Sequence, residues 1–260
     1  MTALTNAPLV VQHEGDLALL LMNSPRRRNA LSAPILASLQ SALSQAALDD
    51  RVGAVIIGSA LEGVFASGGD IRELQALEGS TGGLCFAETA QAVFRTIETL
   101  PKPVVAAIDG YCLGAGAELA MAADIRVASD RAVLASPQVG LGITPGLGGG
   151  QRLLRLCGTG CARRLILTAQ RVEGREALRL GLVEFVVSSA LLWETAKAVA
   201  LRMALKPRTA MRLAKRMVNF SSQAGLAEGC AYEANQFGLA CAAGHLQGSA
   251  LQCQGGGECE

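Results

Sequence analysis

The sequence predicts an α/β fold with mostly parallel strands and a helical C-terminal region. Two observations carry this. Short apolar runs alternate with amphipathic stretches along the first 190 residues, and beyond that point only helical periodicity is left. No repeat of fixed period is visible. The pattern is compatible with a doubly wound sheet and with a spiral.

The elements read in order as follows. "LVVQHEG" and "LALLLMN" are two strands joined by a Gly15-Asp16 turn. Residues 32–50 have helical spacing, with Ser32 as N-cap and Pro34 in the first turn. "VGAVIIGS" is a buried strand, and the stretch "ALEGVFASGGDIREL" after it reads as a loop. Residues 84–100 form an amphipathic helix closed by "LPKP". "VVAAIDG" is again a strand. "YCLGAGAELAMAAD" is a turn running into a helix, and "IRVASD" and "AVLAS" are strands. The glycine-rich stretch "GLGITPGLGGGQRLLRL" leads into helices up to about residue 180. "GLVEFVVS" is the last strand, and helices follow over 189–204, 207–220 and 223–242. This divides the chain into a core over 1–190 and a helical region over 191–260.

Composition narrows the function. Of 260 residues, 50% are hydrophobic and only 3% aromatic, so a large core must be packed mainly by Ala, Leu, Val and Gly. A net charge of +1 supplies no field for nucleic acid or an anionic membrane. No apolar run reaches the ~20 residues of a membrane span, and the N-terminus lacks a signal-peptide pattern. Eight cysteines are scattered without a C-x-x-C pair, which reads as reduced thiols in a cytoplasmic protein. Only His13 and His245 are present and neither neighbours a cysteine pair, so no metal site is expected.

Three segments stand out as places where backbone donors and a carboxylate could meet a ligand. In "FASGGDI" (65–71), adjacent glycines leave backbone N–H groups able to face a ligand. In "GYCLGAGAELA" (110–120), a Gly-Ala-Gly turn opens a helix whose first N–H groups are unpaired, and Glu118 lies in its first turn near them. "SPQVGLGITPGLGGGQRL" (136–153) has the glycine and proline density of a pocket wall. It lacks the Gly-Lys-Ser/Thr ending of a phosphate-binding loop, and "GAGAEL" lacks a full dinucleotide fingerprint.

Together these segments, with "RRRNALS", "KPVVAAIDGYCLGAGAELAMAADIRVAS", "LILTAQRVEGREALRLGLVEFVV" and "GLAEGCAYEANQFGLAC", resemble the crotonase, or enoyl-CoA hydratase/isomerase, superfamily over about residues 8–243. The resemblance implies a spiral of ββα turns with a C-terminal helical region that builds trimers, commonly paired into hexamers. It implies acyl-CoA thioester substrates and no cofactor beyond the CoA of the substrate. By position, the N–H groups of Gly69 and Ala115 form an oxyanion hole. Arg27, Ala30 and Ser67 match positions near the CoA adenine and phosphates, Ala30 and Ser67 acting through backbone atoms. Asp70 and Ile71 belong to the same CoA-binding loop, with Asp70 shaping it.

The hydratase branch uses two glutamates around a water. Glu118 matches the first and Gln138 falls on the second, where an amide supplies no proton near neutral pH. The resemblance therefore leaves three readings: hydration run by Glu118 with Gln138 orienting water, a one-base reaction (isomerisation, thioester hydrolysis or decarboxylation), or a CoA-binding relative with little turnover. A scaffold role is a fourth. Glu73 is a further carboxylate near the first loop. Segment 72–90 is expected to form a flexible pocket floor. The tail "HLQGSALQCQGGGECE" lacks the basic, aromatic ending of relatives, and is expected to hold the CoA phosphates less well.

Overall fold

The computed structural model describes residues 7–244. In chain order the elements are β1 (Leu9–Glu14), β2 (Leu17–Met22), α1 (Ala33–Leu48), β3 (Ala54–Ser59), β4 (Val64–Ala66), α2 (Ile71–Gln75), α3 (Gly79–Thr99) and β5 (Val104–Ile108). There follow β6 (Tyr111–Leu113), α4 (Ala115–Ala120), β7 (Ile125–Ser129), β8 (Val133–Ala135), α5 (Gly149–Thr168), β9 (Arg171–Glu173), α6 (Gly174–Arg179) and β10 (Phe185–Val187). Helices α7 (Leu192–Ala204), α8 (Arg208–Ser221) and α9 (Leu226–Ala242) close the described chain.

The strands form two sheets. One has the order β1-β2-β3-β5-β7-β10, the other β4-β6-β8-β9. The successive pairs β3–β4, β5–β6 and β7–β8 each put their first strand in the larger sheet and their second in the smaller one, then run on into helix. Each turn adds one parallel strand beside its predecessor in both sheets. This is a spiral of ββα turns, not a doubly wound sheet. Among the described residues, only β1–β2 and β8–β9 pair antiparallel.

The apolar runs are unbroken because the larger sheet is covered on both faces. Side-chain alternation sorts them. Leu20, Met22, Val55, Ile57, Ala106 and Ile108 face the main core with α1 and α3. Leu19, Leu21, Ile56, Val105, Ala107 and Val127 face Leu192, Ala196 and Ala200 of α7. Small residues allow close approach, as where Trp193 packs over Gly58. Helices α8 and α9 pair with each other through the stacked rings of Phe220 and Tyr232, 4.1 Å apart. Lys215 ties α8 to the spiral through Asp124 and the carbonyls of Ile97 and Lys102.

Several expectations are corrected. The presumed loop after β3 contains β4 and α2. Segment 72–90 is largely helical, because α3 begins at Gly79 rather than 84. Tyr111–Leu113 is a strand rather than part of a turn, and Arg171–Glu173 is a strand that no periodicity marked. These strands are three residues long, too short to show a period of two. Ser32 occupies the N-cap of α1, but its hydroxyl makes no cap bond. The Glu73 carboxylate does so instead, accepting from the Ala33 N–H at 2.8 Å. The tail over 245–260 and His245 lie outside the described residues.

Candidate active site

The smaller sheet assembles the site. Strands β4, β6 and β8 are parallel neighbours, so the loops leaving their C-terminal ends stand side by side. These loops are 67–70, Gly114–Ala115 and 136–148. A parallel bridge between Leu31 and Gly69 adds the 26–32 segment to the row. Together they line a cleft of about 1300 Å³. All nine residues singled out in the sequence line it: Arg27, Ala30, Ser67, Gly69, Asp70, Ile71, Ala115, Glu118 and Gln138. Glu73 does not, because its carboxylate turns to the start of α1.

Gly69 and Ala115 sit in adjacent loops. Neither backbone N–H is taken up by a hydrogen bond among the described residues, whereas the flanking Asp70 and Gly114 amides donate to Leu31 and Ala135 carbonyls. Ala115 is the first residue of α4, where an N–H has no partner within the helix. Helix α4 reaches this place because Gly116 lets it lie against β4. A Cβ on Gly116 would come within 2.6 Å of the Ala66 Cβ and 2.9 Å of the Ala66 carbonyl oxygen.

Glu118 is buried, 2% exposed, and its carboxylate is held from outside its own helix. Oε1 accepts from the Leu147 N–H at 3.1 Å and the Gly149 N–H at 2.8 Å. Oε2 accepts from Gln138 Nε2 at 3.3 Å. The sequence reading placed this carboxylate near the first N–H groups of α4. The correction follows from geometry, since a side chain three residues into a short helix points sideways onto the glycine-rich turn. That turn must be glycine at 149, where a Cβ would sit 2.1 Å from Glu118 Cγ. Burial pushes the Glu118 carboxyl above its ordinary range; the Gly149 and Leu147 amides, Arg152 and Gln138 oppose this without cancelling it.

Gln138 lies in a short 3-10 turn, Pro137–Leu141, and is itself buried. Its Nε2 faces Glu118, while its Oε1 is buried with no hydrogen-bond partner among the described residues.

At the other end of the cleft Asp70 does structural work. It caps α2 by accepting from the Arg72 and Glu73 N–H groups, and it pairs with the half-exposed Arg27 guanidinium. Burial opposes its charge, but Arg27 and those amides hold the Asp70 carboxyl below its ordinary value. The N–H groups of Ala30 and Ser67 are already donated to the carbonyls of Arg27 and Arg28. Of their backbone groups, the carbonyl oxygens are left to meet a ligand.

Sequence reasoning missed the amides of Leu147 and Gly149, and it missed Arg152. The available signal was the run Gly148-Gly149-Gly150 immediately ahead of a helix, which was read as a pocket wall rather than as a carboxylate clasp.

Known proteins place this geometry. The model of the enoyl-CoA hydratase/isomerase family matches residues 12–252. The chain is 40% identical to the short-chain-enoyl-CoA hydratase of Clostridium acetobutylicum over 230 residues, 88% of each chain. It is 39% identical to the crotonyl-CoA hydratase of Syntrophomonas wolfei over 89% of this chain and 88% of that one. The crystal structure of an enoyl-CoA hydratase from Bacillus anthracis superposes with a TM-score of 0.84 at 35% identity, covering 88% of this chain and 89% of the other. With a spiral of this topology and relatives matched over most of their length, the chain belongs to the enoyl-CoA hydratase/isomerase family.

Proposed function

We propose that this chain is an enoyl-CoA hydratase that adds water reversibly across the double bond of a 2-enoyl-CoA thioester. The observation that carries the reading is the Glu118 carboxylate, buried in the cleft beside two loops whose Gly69 and Ala115 N–H groups are unused. The names of the relatives support the same substrate class.

The thioester carbonyl oxygen sits on the Gly69 and Ala115 N–H groups. Attack of water at Cβ pushes an electron pair onto that oxygen, and the two donors stabilise the enolate. Losing one such donor typically costs ~10²–10³ in rate. The Oε1 of Glu118 is saturated by two amides, so Oε2 is the atom that takes the proton from water. Gln138, which lines the cleft and donates its Nε2 to that same Oε2, orients the water beside the carboxylate. Gln138 has no proton to give, so Glu118 returns the one it took to Cα. The Arg27 charge and the Ala30 and Ser67 carbonyls meet the CoA phosphates and adenine. We place the enzyme in the cytoplasm as a homotrimer or homohexamer; the exposed Leu226 and Phe237 of α9 are suited to bury against a second copy.

Turnover of crotonyl-CoA, followed by loss of the enoyl-thioester absorbance, tests this beside Glu118→Ala and Gln138→Glu. The native chain hydrates and Glu118→Ala does not, while still binding acyl-CoA. An inert native chain that becomes active as Gln138→Glu would overturn hydration and favour a one-base CoA reaction, since position 138 would then lack the proton donor that hydration needs. Identical behaviour of native and Glu118→Ala would indicate a scaffold.

A further inference from the structure

We infer that Arg152 is a positioning residue for Glu118, holding the Leu147–Gly149 turn that clasps the carboxylate and anchoring that turn to α3. The inference rests on Glu118 being the base. Arg152 lies in the first turn of α5, and its side chain is mostly buried. Its Nη1 donates to the Leu147 carbonyl at 2.9 Å, and its Nε donates to Glu98 Oε1 at 2.7 Å. The N–H of the same Leu147 donates to Glu118 Oε1. One residue therefore separates the guanidinium from the base: Arg152 takes its carbonyl and Glu118 takes its amide.

The far end of this chain is fixed as well. Glu98 sits near the end of α3, and its carbonyl accepts from Asn219 Nδ2 of α8 at 2.8 Å. The guanidinium also lies over the Phe94 ring, 5.8 Å from its centroid. A planar fork can serve two acceptors in different directions at once, which a lysine ammonium on a flexible stem does less well. Helix α3 also lines the cleft, through Gly83, Phe86 and Ala87. Arg152 thus links the wall of the substrate cleft to the turn that aims the base.

A purely structural tie would also contact Glu98, so the test must read the carboxylate itself. The elements around Glu118 offer few charges. Helix α4 has no other titratable residue, the 137–141 turn presents the neutral Gln138, the 147–149 turn presents only amides, α5 presents Arg152, and α3 presents Glu98 through Arg152. Among the described residues, Arg152 is a cation whose charge favours the ionised Glu118 carboxylate. Removing it moves the Glu118 titration to higher pH. Neutralising Glu98 leaves Arg152 uncompensated and moves the titration to lower pH.

The experiment compares native protein with Arg152→Met, Arg152→Lys and Glu98→Gln. Each is assayed with crotonyl-CoA across pH and titrated by ¹³C NMR with carboxyl-labelled glutamate, the Glu118 signal being identified by its loss in Glu118→Gln. We expect Arg152→Met to lower kcat by about 10–10²-fold, as a misplaced reacting group does, with KM little changed. Its Glu118 midpoint rises, that of Glu98→Gln falls, and Arg152→Lys recovers the native midpoint but not the native kcat. An unmoved midpoint in Arg152→Met, or native kcat there, overturns the inference. Should Arg152→Met fail to fold, Glu98→Gln and Arg152→Lys decide it by the same titration. The NMR readout does not need turnover, so a native chain that fails to hydrate sinks the functional reading while the role of Arg152 is still scored.

Discussion

The amide nitrogen of Gln138 donates to Oε2 of Glu118 across 3.3 Å, leaving the Gln138 Oε1 buried and unpartnered. An amide in this place does two things that a carboxylate would not. It presents a donor to the Glu118 carboxylate, and it adds no second negative charge to a buried site.

Gln138→Glu puts two carboxyl groups within that distance. Like charges so close cannot both ionise freely, and one proton is held more tightly. The acid limb of the pH profile for kcat/KM is expected to move to higher pH. Turnover at its optimum stays within about tenfold of native, short of the 10²–10⁴ that restoring a missing acid would bring. Rate profiles of the two proteins with crotonyl-CoA check both statements.

Glu118→Gln is expected to lower hydration by ~10²–10⁴ and to stabilise the fold at neutral pH. The Glu118 carboxyl is raised by burial, so ionisation is less favourable folded than unfolded. Its contribution to stability is complete at low pH, below the unfolded pKa, and is lost as pH rises through the folded one. The neutral amide escapes that loss while still accepting from Leu147 and Gly149. Thermal midpoints of the two proteins should therefore diverge as pH rises and converge in acid. A gap that stays constant with pH would contradict the assignment.

Gly149→Ala drives a methyl to within 2.1 Å of Glu118 Cγ. The carboxylate must leave the clasp, so kcat falls while acyl-CoA affinity is kept. Stability drops by about 1–3 kcal/mol, as overpacking does. Isothermal binding to a non-reactive acyl-CoA, set beside initial rates, separates the two effects.

Lys215→Met leaves the part-buried Asp124 without the Lys215 ammonium. Burial raises the Asp124 carboxyl and lowers the Lys215 ammonium. Their contact at 2.7 Å, the Val104 N–H on Asp124 and two carbonyls on Lys215 hold the ion pair against that cost. Denaturant unfolding should show a loss of about 3–5 kcal/mol at neutral pH. The loss shrinks in acid, where Asp124 protonates, and it shrinks in the double variant with Asp124→Asn.

Much of the site was legible in the chain. The Gly68-Gly69 pair, the Gly-Ala-Gly turn before Glu118 and the amide at 138 each mark a local conformation or chemistry that needs no distant partner to recognise. The apolar runs of β2, β3 and β5 declared strands, and that of β3 a buried one. What failed was short or remote. Strands of three residues show no period, and β4, β6 and β9 depend on neighbours for their hydrogen bonds. The cap of α1 comes from Glu73, 40 residues away, rather than from the adjacent Ser32.

The sequence by itself determined the alternation of strands and helices, the glycines at the turns and the place of Glu118 in the first turn of a helix, because these follow from local sterics and the period of apolar residues. Tertiary structure decided the rest. Pairing of β4, β6 and β8 brings Gly69, Ala115 and Gln138 to one edge from positions up to 69 residues apart. Glu118 is then gripped by amides about 30 residues further along the chain. Those contacts exist because neighbouring parallel strands end together, a relation between elements that no local pattern encodes.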